Sequence, residues 1–307
     1  MGSRLTTDVD RAVEVLRNGG LVALPTETVY GLAADADHAG AVGRIFTVKG
    51  RPTDHPLIVH VGDPSMLDEW SLHPSQAAIV LAAACWPGPV TLLVPRAERV
   101  LDAVTGGRAN VGLRVPSHAL ALETLRRFGG GLAAPSANRF GRVSPTTAAH
   151  VLADLGDDVD LVLDGGPCEI GVESTIVDCT IDPPQVLRPG AVTADEIAAL
   201  LHTDVEAGSG PRRAPGMLDS HYAPRCRVVL VATADEARLL SGTGTGTGTT
   251  VIGAGTDAVE YARHLYAWLR AADVAGIHTV IAVLPPPVGL GHAIRDRLVK
   301  ASATQDG

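Results

Sequence analysis

The residues with the clearest chemical potential lie in one short loop, where positions 49–56 read Lys-Gly-Arg-Pro-Thr-Asp-His-Pro. Lys49 is one of only two lysines in the chain, the other being Lys300. An ammonium group beside a planar guanidinium on a Gly/Pro-containing loop suits a polyphosphate, because the first bridges oxygens and the second binds bidentately. A solvated basic turn between a helix and a strand explains the same residues, so the loop alone leaves both interpretations open.

Further polar side chains lie where apolar, strand-like runs of the sequence end, which is where open α/β sheets bind their ligands. These candidates are Thr26, Glu27, Thr28, Tyr30, Arg114, Ser136, Asn138, Ser144, Ser174, Thr175 and Arg188. Arg114 is the most informative, because a charge inside the apolar run 111–116 must either pair with a carboxylate or bind an anion. The other segments also fit structural roles, such as a capped turn or a helix-capping loop.

Four cations share loop or strand positions in a chain of formal net charge −9, namely Lys49, Arg51, Arg114 and Arg188. Together with the hydroxyl and amide donors they predict a concave anion site that can hold a nucleoside triphosphate and a small carboxylate. The sequence has neither a Gly-x-x-x-x-Gly-Lys-[ST] nor a Gly-x-Ser-x-Gly motif. P-loop ATPase and α/β-hydrolase chemistry are therefore disfavoured.

The composition is that of a globular protein, with 46% hydrophobic and 19% charged residues among 307. The acidic net charge and the 3% aromatic content argue against a dedicated nucleic-acid-binding module. Four cysteines without Cys-x-x-Cys spacing predict neither a metal site nor a disulfide framework. No apolar run approaches the roughly 20 residues of a membrane span, and residues 1–20 contain no apolar signal-peptide core, so we expect a cytoplasmic protein without a membrane partner.

The elements that must position these side chains alternate between helical and strand-like patterns. A first helix ends at Gly19, and further helices are predicted over 39–48, 75–85, 117–128, 145–155 and 193–201. Strands are predicted over 21–24, 56–61, 90–95, 111–116, 131–135, 160–164 and 174–178. Some neighbouring strands are too close for a crossover helix, so the pattern predicts a mixed parallel and antiparallel α/β sheet.

The composition of the sequence changes after residue 202. Residues 203–225 are rich in Gly, Pro, Ser and charge without periodicity, which predicts a connector. From residue 226 a βαβαβα pattern follows, typical of a small Rossmann-like domain. The predicted organisation is a catalytic domain over 1–202, a connector over 203–225 and a small α/β domain over 226–307.

Assembled, these segments resemble the threonylcarbamoyl-AMP synthase family in its long form, which joins a YrdC-like catalytic domain to a smaller C-terminal domain. The resemblance covers residues 8–225 and is carried by PTETVYGLAADA, KGRP, PLIVHV, WPGPVTLL, VGLRVP, APSAN, SPTTAAHV, GVESTIVD, RPGAVT and PGMLDSHYAP. It implies an α/β fold whose twisted mixed sheet surrounds a positively charged cavity. The implied reaction converts L-threonine, bicarbonate and ATP into L-threonylcarbamoyladenylate and pyrophosphate.

The same resemblance implies roles for individual residues. Lys49 and Arg51 would be catalytic and hold the ATP phosphates with Mg²⁺, and the other ATP contacts would be His55, Asn110, Ala134, Ser136, Asn138, Ser144, Arg188 and Tyr222. The threonine side would consist of Thr28, His60, Arg114 and Ser174, with Arg114 binding the carboxylate bidentately. The connector would act as a lid that excludes water from a hydrolysable mixed anhydride.

Two positions depart from the family pattern, which usually has Asn at position 55 and Thr or Ser at position 110. His55 and Asn110 can still form hydrogen bonds with a nucleotide, and His55 would make the affinity pH-sensitive near neutrality. The implied partner is a separate transferase complex that moves the threonylcarbamoyl group to adenosine 37 of tRNA.

Three other functions remain open at this point. An RNA-binding module would show salt-dependent tRNA binding without nucleotide turnover. A carbamoyl-transfer enzyme on the same scaffold would use carbamoyl phosphate and ignore threonine. A regulatory protein would keep the cavity without turnover.

Overall fold

The computed structural model describes residues 4–207, 222–242 and 248–303. The predicted connector therefore lies largely outside the described residues, which include only its two ends, 203–207 and 222–225.

The first domain is an α/β unit with one large sheet. Its described strands are β1 Leu5–Thr6, β2 Val22–Leu24, β3 Gly31–Asp35, β4 Ile58–His60, β5 Val90–Pro95, β6 Asn110–Arg114, β7 Leu132–Ala133, β8 Leu161–Leu163, β9 Thr175–Asp178, β10 Gln185–Arg188 and β11 Glu206–Ala207. Its described helices are α1 Val9–Arg17, α2 Ala39–Lys49, α3 Leu67–Trp70, α4 Gln76–Cys85, α5 Asp102–Thr105, α6 Ala119–Phe128, α7 Ala148–Leu155 and α8 Ala194–Leu201.

Helix α1 illustrates why these residues fold as they do. The side chain of Asp8 caps the helix by accepting a hydrogen bond from the amide of Arg11. Val9, Ala12, Val13 and Leu16 recur at helical spacing and are buried. Just beyond the helix Gly19 has a φ of 75°, which favours glycine and ends the helix as predicted.

The sheet has the order β1-β8-β2-β3-β7-β4-β6-β5-β9-β10-β11. It contains parallel pairs, such as β4 with β6, and antiparallel pairs, such as β5 with β6. The prediction of a mixed α/β sheet is therefore confirmed. Six of the ten neighbouring pairs in this order join strands that are not consecutive in the chain, so the sheet brings distant segments together.

Four strands of this sheet were not predicted, namely β1, β3, β10 and β11. Strand β3 is the most instructive of them. Residues 24–35 were expected to form a turn closed by Gly31, whereas Gly31–Asp35 form β3, which pairs with β2 and β7. This segment is Gly-Leu-Ala-Ala-Asp and lacks β-branched residues, so its local propensity does not favour a strand. It is a strand because two neighbours in the sheet supply its hydrogen-bond partners. Gly31 also allows close approach, since a Cβ there would lie 3.3 Å from the Cβ of Ala134.

The second domain is a separate small α/β unit, as predicted. Its described elements are β12 Arg227–Val231, α9 Ala234–Gly242, β13 Thr249–Ile252, α10 Ala258–Val274, β14 Thr279–Val283 and α11 Leu290–Ser302. The three strands are parallel in the order β12-β14-β13, so the last strand occupies the middle of the sheet.

The second domain packs directly on the first. Val29, Val143 and Val172 of the first domain belong to one hydrophobic cluster with side chains of α10 and α11, including Tyr266 and Leu298. The approach is closest at Gly171, where a Cβ would lie 2.5 Å from the carbonyl oxygen of a residue in α10. Among the described residues, none of the helices combines the length and the apolar character needed to cross a membrane.

Candidate active site

A cavity lies where the ends of several strands of the first domain meet. Nine predicted site residues line it, namely Thr28, Arg51, His60, Arg114, Ala134, Ser136, Ser174, Arg188 and Tyr222. The remaining lining residues are Thr26, Val29, Gly31, Ile58, Pro135 and Glu173. Segments spread from residue 26 to residue 222 therefore build one concave surface.

Arg114 is held in this cavity by first-domain residues. Its guanidinium donates from Nη2 to Oε1 of Glu27 at 2.6 Å, from Nη1 to the hydroxyl of Thr28 at 2.9 Å and from Nε to the carbonyl of Gly88 at 3.2 Å. The side chains of Arg114 and Glu27 are 5% and 4% exposed. Of the five N–H donors of an arginine, this leaves one on each terminal nitrogen. Arg114 is thus both half of a buried ion pair and a group that can bind an anion end-on through those two donors.

His60 lies in the same part of the cavity and is buried. Burial and the positive charge of Arg114 lower the pKa of His60 to about 3. Its Nδ1 is enclosed without a hydrogen-bond partner among the described residues. His60 is therefore a neutral imidazole at physiological pH.

Ser174 and Arg188 join the two halves of the cavity. Arg188 donates from Nη2 to the hydroxyl of Ser174 at 2.9 Å and from Nε to its carbonyl at 3.0 Å. The same hydroxyl lies 2.8 Å from that of Thr91. Burial lowers the pKa of Arg188. A residue assigned to threonine thus contacts a residue assigned to ATP.

Arg51 reaches the cavity from the loop after α2. Its Nη2 donates to the carbonyl of Pro56 at 3.0 Å, and its guanidinium lies 5.7 Å from the ring centre of Phe140. Burial lowers the pKa of Arg51 to about 10, which leaves the group charged at neutral pH. His55 packs edge-on against the same Phe140, with the ring centres 5.4 Å apart, and does not line the cavity.

Lys49 does not line the cavity. Its Nζ donates to the carbonyls of Ser136 and, at 2.6 Å, of Asn138. Burial and the nearby charge of Arg51 lower the pKa of Lys49 well below its ordinary value. Gly50, with a φ of 63°, ends α2 between Lys49 and Arg51 in the left-handed conformation. Lys49 therefore holds the 136–138 loop, and only its third donor remains for a ligand.

Asn138 and Asn110 also lie outside the lining. The side-chain amide of Asn138 donates to the carbonyls of Arg139 and Arg142 at 2.8 and 2.7 Å, which closes the loop that carries Ser136. Asn110 begins β6 opposite Pro95 of β5. Their assignment to ATP stays a prediction, and the structure gives Asn138 a clear role in shaping the loop.

Ser144 belongs to a buried network centred on Glu173. The hydroxyl of Ser144 donates to Oε1 of Glu173 at 2.6 Å, and Oε2 accepts from the hydroxyl of Tyr266 at 2.7 Å and from Nε of Arg297 at 2.8 Å. Burial by itself raises the pKa of Glu173, but the charges of Arg297 and Arg188 outweigh it and lower that pKa to about 2. Glu173 is therefore a buried carboxylate whose paired counter-charge comes from the second domain.

Tyr222, at the end of the connector, closes one wall of the cavity. Its ring lies 5.7 Å from that of Tyr266 in a stacked arrangement and 5.4 Å from the guanidinium of Arg297. Burial raises the pKa of the Tyr222 hydroxyl to about 12. This connector residue thus contacts the second domain while lining the cavity of the first, and its neighbour His221 lies outside the described residues.

Glu173 and its two partners in the second domain, Arg297 and Tyr266, were not predicted from the sequence. Glu173 precedes Ser174 in a segment that was singled out for its hydroxyls, and Arg297 and Tyr266 lie in helices whose patterns indicated no site residue. The available signal was a carboxylate next to the predicted strand 174–178, where a buried charge needs a partner.

Comparison with known proteins covers both domains. A family model described as Telomere recombination matches residues 14–190, and one described as Threonylcarbamoyl-AMP synthase, C-terminal domain, matches residues 192–303. The chain is 39% identical to the threonylcarbamoyl-AMP synthase of Pyrococcus abyssi, covering 95% of this chain and 93% of that protein. It is 38% identical to the threonylcarbamoyl-AMP synthase of Bacillus subtilis, covering 96% and 92%.

A solved structure of the same family has a similar fold over nearly the whole chain. The crystal structure of P. abyssi Sua5 complexed with L-threonine superposes with a TM-score of 0.89 at 37% identity, covering 96% of this chain and 94% of that one.

Proposed function

The chain belongs to the threonylcarbamoyl-AMP synthase family, and we propose that it makes L-threonylcarbamoyladenylate from L-threonine, bicarbonate and ATP with release of pyrophosphate. The observation that carries the proposal is the single cavity in which Arg51, Arg114 and Arg188 converge with the predicted threonine contacts. Three guanidinium groups at one site suit a reaction whose substrates and leaving group all carry negatively charged groups.

The proposed reaction requires the protein to position its substrates, and it requires no nucleophilic side chain. The amine nitrogen of threonine bonds to the carbon of bicarbonate with loss of water, and an oxygen of the resulting carbamate attacks the α-phosphorus of ATP. Pyrophosphate leaves from the opposite side, so the protein must align three substrates and stabilise the charge that develops on the leaving group.

Threonine would bind on the side of Arg114. The two remaining donors of Arg114 fit its carboxylate, and Thr28 and Ser174 offer hydroxyls close by. The amine of threonine must lose its proton before it can bond to carbon. The imidazole of His60 is neutral and lines the cavity, which supports a contact with that amine.

ATP would bind on the side of Arg51, Ser136 and Ser144. Arg51 keeps its charge at neutral pH and lines the cavity, which supports a contact with the phosphates. Because Arg188 contacts Ser174, the carbamate oxygen and the α-phosphorus would meet at this pair. Pyrophosphate would then leave towards Arg51.

Mg²⁺ would enter as part of the nucleotide substrate. The two carboxylates at the cavity, Glu27 and Glu173, are paired with Arg114 and Arg297. The described residues contain no cluster of three or more His, Cys, Asp or Glu that could hold a metal ion. Mg²⁺ usually keeps phosphate oxygens and water as ligands, so it can bind with ATP at a cavity whose carboxylates are already paired with arginines.

The product is a mixed anhydride that water would hydrolyse, so a second enzyme must consume it. We propose that a tRNA threonylcarbamoyl-transferase complex performs that step on adenosine 37, and that this protein acts in the cytoplasm without a direct need to bind tRNA. The acidic net charge supports the second point.

The test is product identification by mass spectrometry with ATP, L-threonine and ¹³C-bicarbonate together and with each omitted. We expect pyrophosphate and an adenylate that carries the ¹³C label only when all three are present, and no product from Arg51→Met. Pyrophosphate release that ignores threonine, or an unlabelled product, would contradict the proposal. Use of carbamoyl phosphate in place of bicarbonate would identify a carbamoyl-transfer enzyme instead.

A further inference from the structure

The cavity contains one acidic residue that the proposed reaction does not use. Glu173 lines the nucleotide side, is 6% exposed and lies in a site that must accept a polyphosphate. An unpaired carboxylate there would repel ATP and would cost free energy on burial. A carboxylate at this position therefore needs a positively charged partner that is equally buried.

That partner comes from the second domain. Arg297 of α11 is 1% exposed and donates from Nε to Oε2 of Glu173, and Tyr266 of α10 donates to the same oxygen. Nη2 of Arg297 also reaches the carbonyl of Glu173 at 3.4 Å. Two helices of one domain thus fix a single carboxylate in the wall of the other.

Ser144 makes a further contact to the held carboxylate. Oε1 of Glu173 accepts the hydroxyl hydrogen of Ser144 at 2.6 Å. Ser144 is itself fully buried and does not line the cavity, so its hydrogen bond serves to fix Glu173. Both oxygens of Glu173 are therefore hydrogen-bonded, and Arg297 supplies the positive charge that balances the carboxylate in the cavity wall.

We propose that Arg297 is a positioning residue for nucleotide binding, which acts through Glu173 by fixing this carboxylate in the wall of the cavity and balancing its charge, so that it does not repel the phosphates of ATP. The proposal rests on the proposed function, since it concerns ATP at the same cavity. The second domain then forms a structural part of the nucleotide side of the cavity. Among the described contacts, the threonine side includes no residue of that domain.

The experiment measures KM for ATP, KM for threonine and kcat in the full chain for Arg297→Met, Tyr266→Phe and Arg297→Met/Glu173→Gln. Arg297→Met should raise KM for ATP by at least about tenfold, which is within the range of interaction energies measured between residues in direct contact. It should change KM for threonine by less than about twofold. Tyr266→Phe should raise KM for ATP about threefold, because it removes one of three donors to Glu173.

The double variant separates positioning from simple support of the fold. A glutamine side chain in place of Glu173 is neutral and can still accept from Ser144, so Arg297→Met/Glu173→Gln should return KM for ATP to within about threefold of the original chain. A KM for ATP that stays as high as in Arg297→Met would overturn the proposal, because Arg297 would then act only by holding the domains together.

Arg263→Met is the matched control, since Arg263 also joins the domains, through a hydrogen bond to the carbonyl of Glu169, but is exposed and does not line the cavity. It should change no KM. Titration calorimetry with ATP gives the same comparison without turnover, so a chain that makes no product but binds ATP as described would contradict only the proposed function. Unchanged ATP affinity in all variants of an active enzyme would contradict only the positioning role.

Discussion

The two sides of the cavity differ in how they are built. On the side proposed to bind threonine, Arg114, Glu27, Thr28 and His60 all come from the first domain, where the loop between β2 and β3 contacts β6 and β6 pairs with β4. On the side proposed to bind the nucleotide, Glu173 is held by α10 and α11 of the second domain. The first side is fixed when the sheet folds, whereas the second is complete only when two domains pack together. Changes at the domain interface should therefore affect ATP and spare threonine.

The largest effect is expected on the threonine side. Arg114→Met should lower kcat/KM for threonine roughly thousandfold, because losing a buried charge contact costs about 4 kcal/mol. It also leaves Glu27 buried without its counter-charge, so Glu27→Gln should be added if the single variant does not fold. Arg127→Met is the control, since Arg127 forms ion pairs on the exposed surface. An equal loss in ATP affinity would contradict the separation of the two sides.

Lys49 tests the nucleotide side in the same way. Lys49→Met removes both carbonyl contacts that hold the 136–138 loop and should raise KM for ATP about a hundredfold, as expected for two charge-assisted hydrogen bonds. KM for threonine should change by less than about threefold. Thr47→Ala, on the exposed face of the same helix, serves as control. A larger effect on threonine than on ATP would assign Lys49 to the other side.

Gly171 tests the interface without changing a cavity side chain. Gly171 has a φ of 83°, and an added Cβ would lie 2.5 Å from the carbonyl oxygen of Ala262. Gly171→Ala should therefore loosen the packing of the domains and raise KM for ATP about fivefold, since such strain costs about 1 kcal/mol or more. Gly276→Ala is matched, because Gly276 has a φ of 65° and open space around it. If both variants change KM for ATP equally, the domain interface does not contribute to ATP binding.

The smallest effect is a difference in pH dependence. The pKa of His60 falls from 6.5 to about 3, so its contribution to stability is complete above pH 6.5 and is lost as the pH falls towards 3. The pKa of Glu173 falls from 4.5 to about 2, so its contribution is complete above pH 4.5 and is lost towards pH 2. Melting temperatures of the original chain should therefore decline in two steps, the first removed in His60→Gln and the second in Glu173→Gln. Identical curves for both variants would contradict the assignment.

Much of the fold followed from local patterns. Helix α1 was predicted because Asp8, the apolar spacing and Gly19 all lie within one short segment. Strand β3 was missed because its Ala-rich sequence is decided by pairing with β2 and β7. Likewise, nine of the predicted site residues line one cavity, but the exact environment of Lys49 could not be foreseen, since it depends on carbonyl groups about ninety residues away.

The amino-acid sequence settles which groups are available: a set of cations in an acidic chain, hydroxyls at strand ends and motifs that identify the family. Which of these groups meet is settled by the folded chain alone. Glu27 pairs with Arg114 across 87 positions, and Glu173 pairs with Arg297 across 124. Such pairs leave no periodic trace in the sequence, because the free energy that selects them comes from burial of both charges together in the folded chain.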